Sequence, residues 1–348
     1  MVYLIILVWN GLKYLPRLFH DLENLAYPPE KIKIIALDSN STDGSREFLE
    51  KLNLPNFSLI ELEKNFGFAL GNNIGMQYAL AHGADYLVLL NQDISVEQNF
   101  LTELVDKTKT DPKIGVVQPL ILYYQNHQEI NSCGNELHYL GYGWTNGNHQ
   151  KINNSPQLTS LEDITYASGA AVLYTASMLK KIGLFDKKYF SYHEDSDLCL
   201  RARLQGYKIV LATKSVVYHD YHFPTQKNPQ RYFWMEKNRL YLILKFYQWK
   251  TLFLILLMEL IMSFGQLLFS LKNGYFWQFI KSRLWLLWHW FEIMTERKII
   301  QAQRQIGDKE LLKNFQAEIR FQETKNFLLD KIGNPLMKWY WQIIKKLI

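Results

Sequence analysis

Four titratable side chains crowd five positions of the segment FSYHEDSDLCLRARLQGYK, residues 190–208: His193, Glu194, Asp195 and Asp197. The residues that follow have the apolar spacing of an α-helix, which places the acids in its first turn. A carboxylate held at a helix N-terminus can take a proton from a substrate hydroxyl as a general base. Acids are also favoured at the start of any helix, and Asp197 has the i,i+4 spacing of an ordinary ion pair with Arg201. We predict a structural role for Asp197, and the spacing alone leaves the other roles open.

Polar residues directly follow two of the apolar runs that we interpret as buried strands. Asp38 follows Ile32–Leu37, and Asn91 and Asp93 follow Tyr86–Leu90. Ligands of parallel α/β sheets bind at the carboxyl ends of the strands. Asp38 is there placed to accept the imide N–H of a uracil or thymine. The N-x-D pair suits Mg²⁺ or Mn²⁺ shared with a diphosphate, although an isolated N-x-D is more often an Asx turn.

The segment NFGFALGNNIGMQYA, residues 65–79, is rich in glycine but lacks the spacing of a dinucleotide fingerprint or a P-loop. Glycines at 67, 71 and 75 are typical of a helix that packs closely against a sheet. Asn72 and Asn73 could instead contact a ribose or a phosphate near the start of that helix. Both interpretations stay open.

Short apolar runs alternate with helical periodicity up to about Tyr221, which predicts a doubly wound, mainly parallel sheet. The predicted strands are Tyr3–Val8, Ile32–Leu37, Phe57–Leu62, Tyr86–Leu90 and Ile114–Val117, and the predicted helices are Leu12–Leu25, Ser45–Leu52, Leu70–Ala81 and Gln98–Lys109. Residues 120–165 are rich in Gly, Asn and aromatics and predict an irregular connection. A helix at Thr175–Ile182 and a strand pair or hairpin at Tyr207–Ala212 and Ser215–Tyr218 then complete the domain.

Charge and composition separate the C-terminal third from the rest of the chain. The net charge is +6, but residues from Thr225 onward carry 20 Lys and Arg against 9 Asp and Glu, which leaves 19 against 24 in residues 1–224. A basic, Trp-rich tail behind a mildly acidic domain indicates an anionic membrane surface, and less readily nucleic acid. Cys133 and Cys199 lack metal-type spacing, so we expect no disulfide scaffold or zinc site. The apolar start MVYLIILVWN is interpreted as a buried strand rather than a signal peptide.

Two long apolar segments follow Pro224 and are separated by the short connection KNG, which predicts antiparallel helices. Glu259 and Gln266 interrupt the first segment, and Lys281 and Arg283 the second. Residues 251–270 just reach the length of a bilayer span. Interleaved Trp, Phe, Lys and Arg favour helices that lie in the membrane interface, with true spans or a soluble helical subdomain as alternatives.

A set of motifs in fixed order resembles the glycosyltransferase family 2 catalytic domain of GT-A fold, most closely its bacterial rhamnosyltransferase-like branch. The motifs are VWN, LDSNSTDGS, NFGFALGNNIG, LLNQD, ASGAAVLYTASMLKKIGLFDKKYFSYHEDSDLCLRARLQGYK and VVYHDYH. The resemblance implies an α/β catalytic domain at residues 1–222, with a Rossmann-like, mainly parallel sheet and helices on both faces. We assign residues 223–348 to an all-α, membrane-associating region.

The resemblance implies roles for named residues. Asp38, Trp9 and Asn10 would bind the nucleotide, Asp93 would bind the metal with His219, and Asp195 would be the catalytic base beside Glu194. Asn91 replaces the first acid of the family's D-x-D motif. The remaining predicted contacts are Asn65, Asn72 and Asn91 with the nucleotide-sugar, and Ser168, Gly169, Tyr192 and His193 with the sugar or acceptor.

The resemblance also implies the reaction, which is an inverting transfer of a sugar from a nucleotide-diphosphate donor, dTDP-rhamnose-like or a UDP-sugar. The expected acceptor is a hydroxyl of a lipid-linked or polysaccharide substrate in cell-surface glycan synthesis, and the expected cofactor is Mn²⁺ or Mg²⁺. We expect the protein at the cytoplasmic face of the membrane, peripheral or monotopic, without a nucleic-acid partner and with room for a homodimer. The alternatives are a nucleotidyltransferase and a non-catalytic membrane- or nucleic-acid-binding protein.

Overall fold

The computed structural model describes residues 1–154, 163–222, 227–320 and 326–348. The described residues form two compact units. The first contains Met1–Asn135, Thr145–Arg203 and Tyr207–His222, and the second contains Glu136–Trp144, Leu204–Gly206 and the described residues after 226. The predicted domain boundary falls at residues 222 and 223, where residues 223–226 lie outside the described part of the chain.

Strands and helices alternate along the first unit. Its strands are β1 (Val2–Val8), β2 (Ile32–Asp38), β3 (Phe57–Glu61), β4 (Tyr86–Asn91), β5 (Ile94–Val96), β6 (Ile114–Tyr123), β7 (Asn126–Ser132), β10 (Ala171–Thr175) and β11 (Lys208–His219). The short strands β8 (Asn135–Leu137) and β9 (Gly143–Thr145) pair with each other and belong mainly to the second unit. The helices are α1 (Leu15–Glu23), α2 (Ser45–Glu50), α3 (Gly67–Ala81), α4 (Phe100–Lys109), α5 (Ala176–Ile182) and α6 (Glu194–Leu204).

One nine-stranded sheet organises the first unit, in the order β3-β2-β1-β4-β10-β6-β11-β5, with β7 paired to β6. Side chains on successive residues of β1 enter opposite layers, as the period of a strand requires. Leu4 and Ile6 join a core cluster that includes Phe19 of α1 and Phe100 of α4. Ile5 lies under α3 on the other face, where a Cβ at Gly75 would be 2.7 Å from it. Helices therefore cover both faces of the sheet.

The predicted α/β class with a helical C-terminal region is confirmed, but the sheet is mixed. Strands β1 to β4 are parallel to one another, whereas β10 runs antiparallel to both β4 and β6. The four predicted βα repeats at the start of the chain are present. The antiparallel strands come from later segments, whose short apolar runs carry no mark of direction.

The predicted strand pair or hairpin at Tyr207–Ala212 and Ser215–Tyr218 is wrong, since residues 208–219 form the single strand β11. Its pairing with β6 shifts register between Ala212 and Val216, opposite Pro119 and Leu120. Proline has no N–H to donate, and a bulge absorbs the missing ladder bond. The polar residues of this bulge resemble a turn in the sequence. The prediction of an irregular connection also missed the extension of β6 to Tyr123 and the strands β7, β8 and β9.

The second unit consists mainly of helices: α7 (Pro229–Phe246), α8 (Trp249–Asn273), α9 (Phe276–Trp288), α10 (Trp290–Gln303), the single turn α11 (Asp308–Leu311) and α12 (Asn334–Ile344). The short connection after α8 contains Gly274, which has a positive φ of 79°. In the described part of the chain, α8 is the one helix long and apolar enough to cross a membrane, and only 11% of its most apolar window is buried.

Polar side chains of α8 point into the second unit rather than away from it. Glu259 accepts two hydrogen bonds from Arg239 of α7, at 2.8 and 2.9 Å. Arg239 also donates to Glu236, which in turn accepts from Arg283 of α9 at 2.7 Å. Buried charges need partners of this kind, because an unpaired one costs several kcal/mol. Two of the polar residues that interrupt the apolar segments in the sequence, Glu259 and Arg283, therefore hold the helices together.

Candidate active site

The ends of three parallel strands bring the predicted nucleotide-site residues to one edge of the sheet. In the pairing of β1 with its neighbours, Val8 lies opposite Asp38 and Leu7 lies opposite Asn91. The side chain of Gln92 then joins the ends of β1 and β4, since it accepts a hydrogen bond from the Trp9 N–H at 2.9 Å and donates to the Trp9 carbonyl at 3.2 Å. The structure thus brings Trp9, Asp38 and Asn91 together.

Asp38 is completely buried at the end of β2. Its Oδ2 accepts hydrogen bonds from the Ser41 N–H at 3.1 Å and from Arg46 Nε at 3.3 Å. Its Oδ1 has no hydrogen-bond partner among the described residues. A buried carboxylate oxygen without a donor is costly unless a ligand supplies one, so this oxygen can accept an N–H from a bound base.

Asn10 supports the neighbouring loop through its backbone N–H and its side-chain oxygen. Its N–H donates to Ser41 Oγ at 3.0 Å, and its Oδ1 accepts from the Thr42 N–H at 2.8 Å. Asn10 has a φ of 49° and Asn40 a φ of 61°, in the left-handed region that few residues other than glycine adopt. Trp9 leaves 53% of its surface exposed beside this loop, where its indole can stack on a ligand.

Asp93 and His219 meet where β11 pairs with β5, since His219 lies opposite Ile94, the residue after Asp93. The distance between Asp93 Oδ1 and His219 Nε2 is 3.4 Å, and the other ring nitrogen of His219 donates to Asn131 Oδ1 at 3.0 Å. Asp93 Oδ1 is buried without a hydrogen-bond partner among the described residues. In the tautomer that carries hydrogen on Nδ1, which the contact with Asn131 selects, the electron pair of Nε2 faces this carboxylate. Two electron-pair donors facing each other at this distance fit a divalent cation.

The described residues contain no group of three His, Cys, Asp or Glu side chains that could hold a metal ion. Asp93 and His219 would therefore supply two ligands, and the rest of the coordination sphere would have to come from water and from a bound substrate. Divalent cations in phosphoryl-transfer sites are commonly shared with substrate phosphates in this way.

Asp195 is held in place at the start of α6. Its Oδ2 accepts a hydrogen bond from the Gly169 N–H at 3.2 Å, and its Oδ1 accepts from the Ser196 N–H at 2.7 Å. The adjacent Ala170 carbonyl accepts from the Asn91 N–H at 2.8 Å. The consecutive residues Gly169 and Ala170 thus link Asp195 to Asn91 at the end of β4 through these hydrogen bonds.

Burial raises the pKa of both neighbouring acids. It raises the pKa of Asp195 to about 6, against the opposing effect of the hydrogen bonds from Ser196 and Gly169. Burial also raises the pKa of Glu194, well above its usual range, and the charge of Asp195 raises it further. Glu194 Oε2 has no hydrogen-bond partner among the described residues. With a pKa of about 6, Asp195 is ionised at neutral pH, which is the state that a general base needs.

The loop before α6 has an unusual backbone. Phe190, Tyr192 and His193 have φ values of 61°, 69° and 69°. Its tight turn lies against the start of α3, where a Cβ at Gly67 would be 2.6 Å from the Phe190 ring, and where the Ala69 N–H donates to the Phe190 carbonyl at 3.2 Å. Left-handed non-glycine residues cluster at functional sites, and here they end at the two acids.

Other predicted site residues make local contacts. Asn65 Oδ1 accepts from the Gly67 N–H at 2.8 Å, and Asn72 is buried with its amide donating to the Phe68 carbonyl at 2.9 Å. These contacts support the helix-packing interpretation of this segment. Ser168 accepts from the Ala170 N–H at 3.3 Å, and Tyr192 is 38% exposed.

Asp197 makes the ion pair predicted for it, with 2.7 Å between its Oδ1 and Arg201 Nε. Arg201 also donates to the carbonyls of Ile182 and Leu184, so this pair fixes the chain before the site.

Several residues of the site carried no signal in the sequence. Arg46 contacts both Asp38 and Glu61, Gln92 joins two strand ends, and Asn131 orients His219. Asn131 lies on β7, in the segment predicted to be irregular. An Arg early in the helix after a strand-end acid is a pattern that could have suggested the pair of Arg46 with Asp38, but it is too common to be specific.

The sheet with its acidic strand ends places the first unit among α/β domains that bind ligands at the carboxyl ends of strands. Residues 3–183 match the model of glycosyl transferase family 2. Because this match covers more than half of the 348 residues, the chain belongs to that family. The protein is therefore a glycosyltransferase, which removes the nucleotidyltransferase and non-catalytic alternatives.

Known proteins agree with this assignment. The chain is 25% identical over 231 residues to an N-acetylglucosaminyl-diphospho-decaprenol L-rhamnosyltransferase of Mycobacterium tuberculosis, a match that covers 62% of this chain and 75% of the relative. A TarS fragment of S. aureus in complex with UDP-GlcNAc has a TM-score of 0.53 at 17% identity, covering 99% of this chain and 90% of that one. GalNAc-T7 with UDP, GalNAc and Mn²⁺ has a TM-score of 0.57 at 17% identity, covering 70% and 48%. The GT-A fold expected from the sequence is confirmed.

Proposed function

We propose that the protein transfers a sugar from a nucleotide-diphosphate donor to an acceptor hydroxyl with inversion at the anomeric carbon. The observation that carries this proposal is the Asp195 carboxylate, held by the Gly169 N–H and connected to the end of β4. As the acceptor oxygen bonds to the anomeric carbon, Asp195 takes the hydroxyl proton, and the nucleoside diphosphate leaves with the electron pair of the old bond. A single base suffices, because a diphosphate leaves without being protonated.

We assign the donor's base to the carboxyl ends of β1 and β2. The free Oδ1 of Asp38 accepts an imide N–H, and Trp9 offers a ring for stacking. Uracil and thymine both present such an N–H, so the proposed donors are UDP-sugars and dTDP-sugars. A base that presents only hydrogen-bond acceptors toward Asp38 would offer no N–H to its carboxylate.

A divalent cation would be held by Asp93 and His219. When bound, such an ion neutralises charge on a diphosphate leaving group. Asn131 then has the positioning role of fixing the His219 ring, so that Nε2 keeps its free electron pair. Asn91 replaces the first acid of the D-x-D motif, so at this position it offers the cation a neutral amide oxygen in place of a charged carboxylate.

The acceptor is proposed to be a lipid-linked glycan of the cell surface. Two observations support this. The M. tuberculosis relative bears a name that describes a decaprenol-linked acceptor, and α8 presents most of its apolar side chains outward. We place the second unit in the membrane interface, as a peripheral or monotopic anchor at the cytoplasmic face, with its aromatic and basic residues at the level of the lipid headgroups.

The test compares the wild-type chain with Asp195→Asn in transfer of labelled sugar from dTDP-rhamnose and UDP-GlcNAc to a polyprenyl-diphosphate-linked GlcNAc, with Mn²⁺. We expect transfer to fall by about 100- to 10,000-fold, the usual contribution of a general base. Donor binding, measured as thermal stabilisation by the same nucleotide-sugars, should persist. Asp106→Asn, which alters an exposed carboxylate on α4, is the matched control. Transfer by Asp195→Asn at the wild-type rate would refute the proposed base.

A further inference from the structure

A cleft between α7 and α9 of the second unit lies apart from the residues assigned to catalysis. Its volume is about 380 Å³, within the range of small-ligand pockets. Gln230 and Phe233 line it from α7, and Gln278, Lys281, Trp285 and Trp288 line it from α9. The α9 residues recur at helical spacing, so they form one face of that helix.

The polar part of the cleft is suited to an anion. Lys281 has no ion-pair partner within the described residues, and the lining contains no Asp or Glu. Gln230 is exposed and Gln278 is half-buried, and each amide can donate two N–H groups without losing a hydrogen bond to another described residue. An ammonium group flanked by amide donors is typical of a phosphate site.

The apolar part of the cleft is rigid on one side and open on the other. Trp285 is fixed by an edge contact with Tyr241 at 5.6 Å between ring centroids and by stacking on His289 at 4.2 Å. Trp288 is 86% exposed and Leu284 is 57% exposed, and both also line the cleft. The apolar wall therefore continues onto the outer surface of α9.

This outer surface identifies the kind of ligand that can reach the cleft. Trp277, Leu284, Trp288 and the following Phe291 are all largely exposed, at spacings of seven, four and three residues. Such a row is the part of the second unit that we placed in the membrane interface, so a lipid can enter the cleft sideways without leaving the bilayer. A free sugar would gain nothing from this apolar opening.

We propose that the cleft binds one lipid with a phosphate headgroup, with the phosphate at Lys281 and the amides of Gln230 and Gln278, and the chain along Trp285 and Trp288. This inference rests on the proposed membrane association, and it names the lipid chemistry that the second unit recognises. Polyprenyl phosphates and anionic phospholipids share this chemistry.

The test measures binding of the full-length chain to phosphatidylcholine vesicles that contain an equal mole fraction of either undecaprenyl phosphate or phosphatidylglycerol. The variants are Lys281→Gln and Gln278→Ala, and the control is Lys272→Gln, which removes an equivalent exposed charge from the last turn of α8. We expect Lys281→Gln to lower binding to the preferred vesicles by about fivefold or more beyond the loss seen with the control, since any surface lysine contributes to attraction by anionic lipid. Gln278→Ala should lower binding in the same direction.

A wild-type preference for undecaprenyl phosphate that Lys281→Gln removes would identify the ligand as a polyprenyl lipid. Equal binding to both vesicles, lost in Lys281→Gln but kept in Lys272→Gln, would identify an anionic phospholipid. Equal losses of vesicle binding in Lys281→Gln and Lys272→Gln would refute lipid binding in the cleft, because the attraction to the vesicles would then be non-specific. Failure of the wild-type chain to bind any of the vesicles would instead refute the membrane association itself. The proposed sugar transfer, which the Asp195→Asn assay tests separately, would be unaffected.

Discussion

At the end of β2, Asp38 has one carboxylate oxygen bound to protein donors and one without any among the described residues. Replacing it by Asn keeps the size of the side chain but removes the charge and turns one oxygen into an N–H donor. That donor would face the imide N–H of the base. We expect Asp38→Asn to raise the KM for the nucleotide-sugar about 10- to 100-fold, as expected for loss of a charge-assisted hydrogen bond, with a smaller change in kcat.

The control for this prediction is Glu61→Gln. Glu61 also pairs with Arg46, at 3.2 Å, but its side chain is 51% exposed. An exposed ion pair contributes little to the stability of the fold. If Glu61→Gln raised the KM as much as Asp38→Asn does, the effect would come from Arg46 and not from a contact between Asp38 and the base.

Single residues differ in how far the sequence could assign them. The ion pair of Asp197 with Arg201 follows from i,i+4 spacing, and the structure contains it. The role of Asn10 could not be foreseen, since its contacts with Ser41 and Thr42 depend on how two strand ends come together. The same holds for Arg46.

At the scale of elements, the glycines of α3 fix how closely that helix approaches the sheet. A Cβ at Gly75 would lie 2.7 Å from Ile5 Cγ2 and 2.8 Å from Leu37 Cδ1, closer than packed atoms allow. We expect Gly75→Ala to lower the free energy of unfolding by about 1–3 kcal/mol, the usual cost of overpacking a core. The measurement is the midpoint of urea unfolding.

Gly265→Ala in α8 is the opposite case, because nothing lies within 4 Å of the added Cβ. Alanine restricts the unfolded chain and favours the helix, so this variant should be more stable by up to about 1 kcal/mol. A Gly75→Ala variant that also gained stability would contradict the close packing of α3 on β1.

Elements were predictable where the pattern is local and strong. The strands β1 to β4 and the helices α1 to α4 lie within a few residues of their predicted positions. β11 was predicted as two strands because its bulge looks like a turn, and only the pairing opposite Pro119 shows why the strand continues. A register shift depends on the partner strand, which no local pattern describes.

At the scale of the whole molecule, the raised pKa of Asp195 links activity to pH. The base must be ionised to accept a proton, so transfer should increase as pH rises through about 6 and level off above 7. The measurement is kcat/KM for the donor between pH 5 and 8, with a saturating cation. A profile without a rise in this range would contradict the assignment of Asp195.

Stability should depend on the same group with the opposite sign. The pKa of Asp195 is higher in the folded than in the unfolded protein, so the folded state gains stability from the protonated form, and this gain is lost as pH rises from about 4 to about 6. At pH 8, the free energy of unfolding of Asp195→Asn, measured by urea titration, should therefore exceed that of wild type by on the order of 1 kcal/mol. At pH 4 the two should differ little. An equal effect at both pH values would show that the gain is unrelated to ionisation.

The sequence by itself determined the order of the βα repeats, the helical character of the C-terminal third and the family motifs, because each of these is a pattern among neighbouring residues. Tertiary structure decided which distant residues meet. His219 faces Asp93 only because β11 pairs with β5, which sets His219 opposite Ile94, the residue after Asp93. Glu259 pairs with Arg239 only because α8 turns its polar side inward. Contacts of this kind depend on strand order and helix packing, and many different sequences with the same local patterns would place those residues apart.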